Sequence, residues 1–240
     1  MKRRLSKKTI LTTLVVILLI PAVIYGGWRM GDRHYYLNSV AVMLLAMVPF
    51  FVSFESRKPQ ARELVVLAVM SAIAVASRAV FAPLPAFKPL VGIVIITAMA
   101  FGAQAGFLTG AVSGFVSNFI FGQGPWTPWQ MFAFGLAGFL AGVLCELGVL
   151  KKEKKWPVVI YGGLVIMLVV GPLLDTCTLF LTAAIPTAAT AGAIYLSGIP
   201  YNAVHAAATG LTLILLYRPL MEKLERIRVK YGMMEAGYEV

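Results

Sequence analysis

Few side chains in this sequence can do chemistry inside an apolar surrounding, so those that can stand out. Of 240 residues, 60% are AVILMFWYC and 13% are charged. Arg78, Asn118, Asp175, Asn202 and His205 nevertheless fall within apolar runs. Asn202, His205, Thr209 and Thr212 follow i, i+3, i+7, i+10, which is one face of a helix. Asp175, Thr178 and Thr182 make a similar face on the preceding run. At 1.5 Å per residue, Asp175 and His205 lie about 9 Å, and Arg78 and Asn118 about 5 Å, from one boundary of their runs. Polar groups converging at one level from four helices describe a ligand pocket, because ionisable groups in lipid are costly. Each also has a structural reading: Arg78 snorkelling to headgroups, Asp175 bridging to His205 or Arg78, His205 satisfied in a core.

Three connecting segments on the same side are apolar and proline-punctuated: Phe81 to Pro89, Phe121 to Gln130 and Thr182 to Pro200. Proline fixes φ, so such loops hold a shape and can present Trp126 and Trp129 as walls; an interfacial aromatic belt is the alternative. The expected substrate-binding set is Arg78, Phe87, Lys88, Asn118, Gln123, Trp126, Trp129, Gln130, Asp175, Asn202 and His205. Neither a phosphate loop, HExxH, paired intramembrane carboxylates nor a nucleophile elbow occurs, which argues against an enzyme. Cys145 and Cys177 lack ligand spacing, so no metal site and no cofactor are expected.

The elements that position these residues follow from hydropathy. The composition excludes an ordinary soluble domain, and runs of roughly 17 to 25 apolar residues without alternation indicate helices rather than barrel strands. The fold class is all-α integral membrane, with eight expected spans: 9–27, 36–54, 63–81, 89–101, 102–121, 128–149, 157–181 and 199–217. The stretch 89–121 is long for one helix and short for two. Charge decides it: a turn near Gly102 leaves only Arg29, Arg33, Arg78 and Lys88, of the 21 Lys and Arg, on the outside. Both termini are then cytoplasmic, in a multi-pass protein of the cell membrane, and the first run stays as an uncleaved helix. A polar linker at Glu55 to Gln60 separates a two-helix membrane extension (1–55) from a six-helix core (56–220), and a cytoplasmic tail (221–240) follows. Gly171-Pro172 should kink the seventh run. Gly102, Gly106, Gly110 and Gly114 form one small-residue seam, suited to helix packing; Ala68, Ala72 and Ala76 form another, which could face a second protein.

These features resemble the substrate-binding S component of energy-coupling factor (ECF) vitamin transporters over about Ala61 to Tyr217. The alanine seam is similar to that family's docking motif. Phe87-Lys88-Pro89, Ala105-Gly106-Phe107, Ser117-Asn118-Phe119 and the stretch from Phe121 to Met131 are similar to the group that includes cobalamin S components. The resemblance implies a six-helix fold that captures cobalamin or another corrinoid at the outer face. It also implies a coupling membrane protein, two cytoplasmic ATPases and release by toppling in the bilayer. Another vitamin or precursor, such as riboflavin, is the alternative ligand, and an intramembrane enzyme is the alternative class. The two helices before Glu55 depart from the six-helix plan. Imidazole suits cobalt, so His205 is a candidate contact to a corrinoid's own metal, but a packed core histidine is the stronger reading and no metal site of the protein is expected.

Overall fold

The computed structural model describes residues 61–183 and 186–231, with the helical residues Val40, Leu44, Met47, Phe50, Phe51 and Phe54 before them. The expected span 9–27, most of 36–54, the linker at 55–60 and the end of the tail lie outside the described residues. Every element in the described region is helical.

Helix α1, Ala61–Val80, buries Leu67, Met70, Ser71, Ala74, Val75 and Arg78 along one stripe. Its opposite face is apolar but exposed, with Leu64, Val65, Val69 and Ile73 on it, as lipid contact requires. Helix α2, Leu90–Phe101, has all twelve residues buried. A helix apolar all round belongs in the middle of a bundle, and α2 packs against α1, α3, α4 and the last helix. At about 18 Å it is too short to cross a bilayer by itself. It stops at Gly102, whose φ of 93° is a conformation that side chains disfavour, and α3, Ala103–Phe121, begins immediately. The expected turn near Gly102 is therefore present.

Helix α4, Trp126–Glu146, lies against α3 at unusually close range. A Cβ added at Gly110 would meet the Phe134 carbonyl oxygen at 2.4 Å, and one at Gly138 would meet the Gly106 carbonyl oxygen at 2.6 Å. The glycine seam is thus a joint between backbones. Phe50, from the helix before the core, stacks on Phe107 at 3.8 Å and meets Phe132 and Phe139 edge-on.

Helix α5, Lys155–Val165, continues through a π-helical segment, Ile166–Val170, into α6, Gly171–Thr182. The widened turn sits just before Pro172, which has no N–H to give and crowds the carbonyl one turn back. Helix α7, Ala188–Tyr231, carries Pro200 and Pro219 inside it. Here the expected outer segment Thr182 to Pro200 is corrected: most of it is helix. The physical reason is a reciprocal cap. The Thr190 N–H donates to Thr187 Oγ1 at 3.1 Å while the Thr187 N–H donates to Thr190 Oγ1 at 2.9 Å, and alanine-rich sequence follows.

Among the described residues four helices are long and apolar enough to cross a membrane: Ala61–Val80, Trp126–Glu146, Lys155–Thr182 and Ala188–Tyr231. That is the architecture of an integral membrane protein. The expected total of eight crossings includes residues outside those described. The end of the bundle away from α1's last turn is basic: Lys152 and Arg228 both donate to the Ala100 carbonyl, at 3.5 and 3.3 Å, where cations suit the end of α2.

Candidate functional site

At the other end, the last turns of α1 and α3, the loop from α1 to α2, the first turn of α4 and Tyr201 of α7 surround a cavity of about 450 Å³. The loop from α1 to α2 forms one wall. It descends in short turns, with the Leu84 N–H bonded to the Phe81 carbonyl at 3.0 Å and the Phe87 N–H to the Leu84 carbonyl at 3.3 Å. The Phe81 and Phe87 rings lie 5.0 Å apart. Ala86 has a φ of 62°, a left-handed value that costs a residue with a side chain roughly 1–2 kcal/mol and is held here between Pro85 and Phe87.

The end of α3 and the start of α4, with Asn118, Phe121, Trp126 and Gln130, form the facing wall, so the expected loop Phe121 to Gln130 is largely helix, and polar side chains tie down the short turn between them. Asn118 Nδ2 donates to Thr127 Oγ1 at 3.0 Å, and Thr127 Oγ1 donates to Gln123 Oε1 at 2.9 Å. Gln123 Nε2 reaches back to the Phe115 carbonyl at 3.0 Å, and Trp126 Nε1 to the Gly122 carbonyl at 3.2 Å. Arg78 stands between the two walls. Its Nη1 donates to Ser117 Oγ, to Asn118 Oδ1 at 3.1 Å and to Gln130 Oε1 at 3.4 Å, and its guanidinium carbon lies 4.4 Å from the Phe121 ring centre. Lys88 Nζ lies 4.8 Å from the ring centre of Tyr201, which closes the cavity from α7.

Of the residues expected from sequence, Arg78, Phe87, Lys88, Asn118, Trp126 and Gln130 line this cavity together. Gln123, Trp129, Asp175, Asn202 and His205 do not line it. Gln123 fastens its loop, as described. Trp129 is buried, with its ring 6.1 Å from Phe180. Asp175 accepts a hydrogen bond from Asn202 Nδ2 at 2.9 Å rather than bridging to Arg78 or His205. His205 is buried edge-on to Phe134, and its Nε2 has no hydrogen-bond partner among the described residues. Lining residues outside the expected set include Phe81, Leu84, Phe121 and Tyr201. Proximity to the proline loops was the signal for the first three; Tyr201 carried none beyond its place after Pro200. The three seam alanines, Ala68, Ala72 and Ala76, are all exposed on α1.

A family profile described as "ECF-type riboflavin transporter, S component" matches residues 58–223. The chain belongs to this family. The S-component match begins just before α1 and ends within α7, so it includes every element that lines the cavity. The family is one of transporter components rather than enzymes. It bears out the expected S component, whereas the cobalamin-type group finds no support in it. No curated protein and no solved structure matches the chain.

Proposed function

We propose that this S component captures a flavin-sized vitamin, riboflavin or a close relative, in the cavity between the 81–88 loop and the facing ends of α3 and α4. The observation that carries the proposal is the cavity wall: Phe81, Phe87, Phe121, Trp126 and Tyr201 offer ring faces, while Arg78, Asn118 and Gln130 bring polar groups to the same space. A flat heteroaromatic ring with carbonyl acceptors has the shape and polarity to use both. The volume of about 450 Å³ falls at the smaller end of the ~300–1,000 Å³ common for small-molecule sites. A corrinoid is the second reading, favoured by the stretch from Phe121 to Met131. It is several times larger than a flavin and would have to rest on the mouth rather than enter.

The ligand arrives from outside the cell in this proposal. The basic end, with Lys151 to Lys155 and the Arg and Lys residues from Arg218 onward, faces the cytoplasm together with both termini, which leaves the cavity on the outer face. Uptake is then driven by an ECF module, comprising a coupling membrane protein and two cytoplasmic ATPases. The exposed row Ala68, Ala72 and Ala76 supports α1 as the surface on which the coupling protein docks, since small side chains let a partner helix approach closely.

The test is titration of the purified full chain with riboflavin and with cobalamin, read by flavin fluorescence quenching and by the absorbance of co-eluting ligand. Saturable riboflavin binding supports the first reading. Binding of cobalamin without riboflavin selects the second, and binding of neither would remove the cavity's assigned role.

A further inference from the structure

We infer that the vitamin taken by this cavity carries an acidic group, a carboxylate or a phosphate, and that Arg78 and Lys88 are its counter-charges; this rests on the flavin-type capture proposed above. Arg78 is only 5% exposed. Its three hydrogen-bond acceptors, on Ser117, Asn118 and Gln130, are all neutral and all meet one nitrogen, Nη1. The Nε atom is buried and has no partner among the described residues. The cation therefore sits out of water with its charge softened by dipoles and by the Phe121 ring but not balanced. A buried unpaired charge is costly, and proteins normally place a carboxylate beside it.

No carboxylate stands among the described residues that line the cavity. Asp175 is not among them and is engaged by Asn202. Instead the cavity holds a second cation, Lys88, poised over Tyr201. Two cations lining one cavity give it a positive potential, and the carbonyls of a neutral ring do not balance that charge. A bound anion does, and the unused edge of a guanidinium has the planar geometry that carboxylate and phosphate oxygens match. A lipid headgroup would bring the same phosphate, but it would leave the aromatic walls of the cavity unused. The ligand's own acid satisfies the walls and the charges together.

The experiment uses the full chain in a maltoside detergent, free of phosphate, with riboflavin, riboflavin 5′-phosphate and a carboxymethylflavin as probes. At least one acidic flavin should bind roughly tenfold or more tighter than riboflavin, the scale of a hydrogen bond to a charged group. Raising salt should narrow the gap. Lys88→Gln, at a half-buried loop position, should shrink the ratio of acidic-flavin to riboflavin affinity, and adding Arg78→Gln should abolish it. Equal affinity for all three probes in the wild type, or a preference that survives the double variant, overturns the inference while leaving the capture of a vitamin intact. Loss of the preference on adding phosphatidylglycerol, but not phosphatidylcholine, would assign the charges to headgroups and overturn it as well. If no flavin binds at all, the flavin reading itself falls and takes this inference with it.

Discussion

Two rows of small residues in this protein share a four-residue spacing and have opposite fates. Gly106, Gly110 and Gly114 on α3 are pressed against α4 so closely that an added methyl group would strike its backbone at Gly106 and Gly110. Ala68, Ala72 and Ala76 on α1 face outward, flanked by the exposed Leu64, Val65, Val69 and Ile73. Spacing does not distinguish them, but the answering element does. Helix α4 returns its own small residues, Gly135, Gly138 and Gly142, and Gly142 meets α3 at Ala103. Nothing among the described residues answers the alanines in this way. A small-residue row becomes an internal joint where a second row is returned to it; otherwise it remains an open surface.

The comparison can be broken at either row. Gly110→Leu should have the largest effect, because no rearrangement short of parting α3 from α4 admits the side chain; a loss above about 3 kcal/mol is expected, seen as failure to elute as a monodisperse peak. Phe50→Ala comes next, at about 3 kcal/mol, since it empties the stack on Phe107; a lowered melting temperature would extend the joint to the helix before the core. Gly138→Ala should cost about 1–3 kcal/mol, because its methyl group meets the Gly106 carbonyl. Ala72→Trp should change stability least, within about 0.5 kcal/mol, and leave ligand affinity unchanged. It should still prevent co-purification of the ATPase module and ATP-dependent uptake. If instead Ala72→Trp lowers stability and ligand binding together, the two rows are alike and the contrast is lost. Intact co-purification with normal uptake would remove the docking role.

The turn at Gly102 was legible because charge and hydropathy both constrain it: a single helix over 89–121 would have put most basic loops on the outer side. Arg78 and Asn118 were legible as neighbours because each lies close to the end of its run, where depth is easily counted. Other placements depend on rotation and register, which spacing leaves free. Trp126 and Trp129 belong to one motif, three positions apart. Trp126 lines the cavity while Trp129 turns inward to Phe180, because the glycine face of α4 fixes how that helix is rotated. Asp175 was seen, but its partner was not, since Asn202 reaches it only through the register between α6 and α7. The start of α7 was missed because Pro200 looks like a helix boundary, whereas the chain starts the helix at the paired threonines and carries the proline inside.

That early start gives the site an uneven skyline. Tyr201 closes the cavity, and thirteen residues of α7 come before it, which at 1.5 Å each raise the helix about 20 Å beyond that point. Helix α6 runs beside it, joined by the 2.6 Å hydrogen bond between Thr176 and Tyr195 and by the Asp175–Asn202 contact. Leu181, Leu196 and Ile199 are exposed on this hairpin. Elsewhere the rim is only the folded loop from Phe81 to Lys88, which reaches Tyr201 through Lys88, and the short turn between α3 and α4. A solute diffusing toward the cavity therefore meets a tall, greasy breakwater on one flank and a low sill around the rest, and its angle of approach is restricted before it touches a single lining residue.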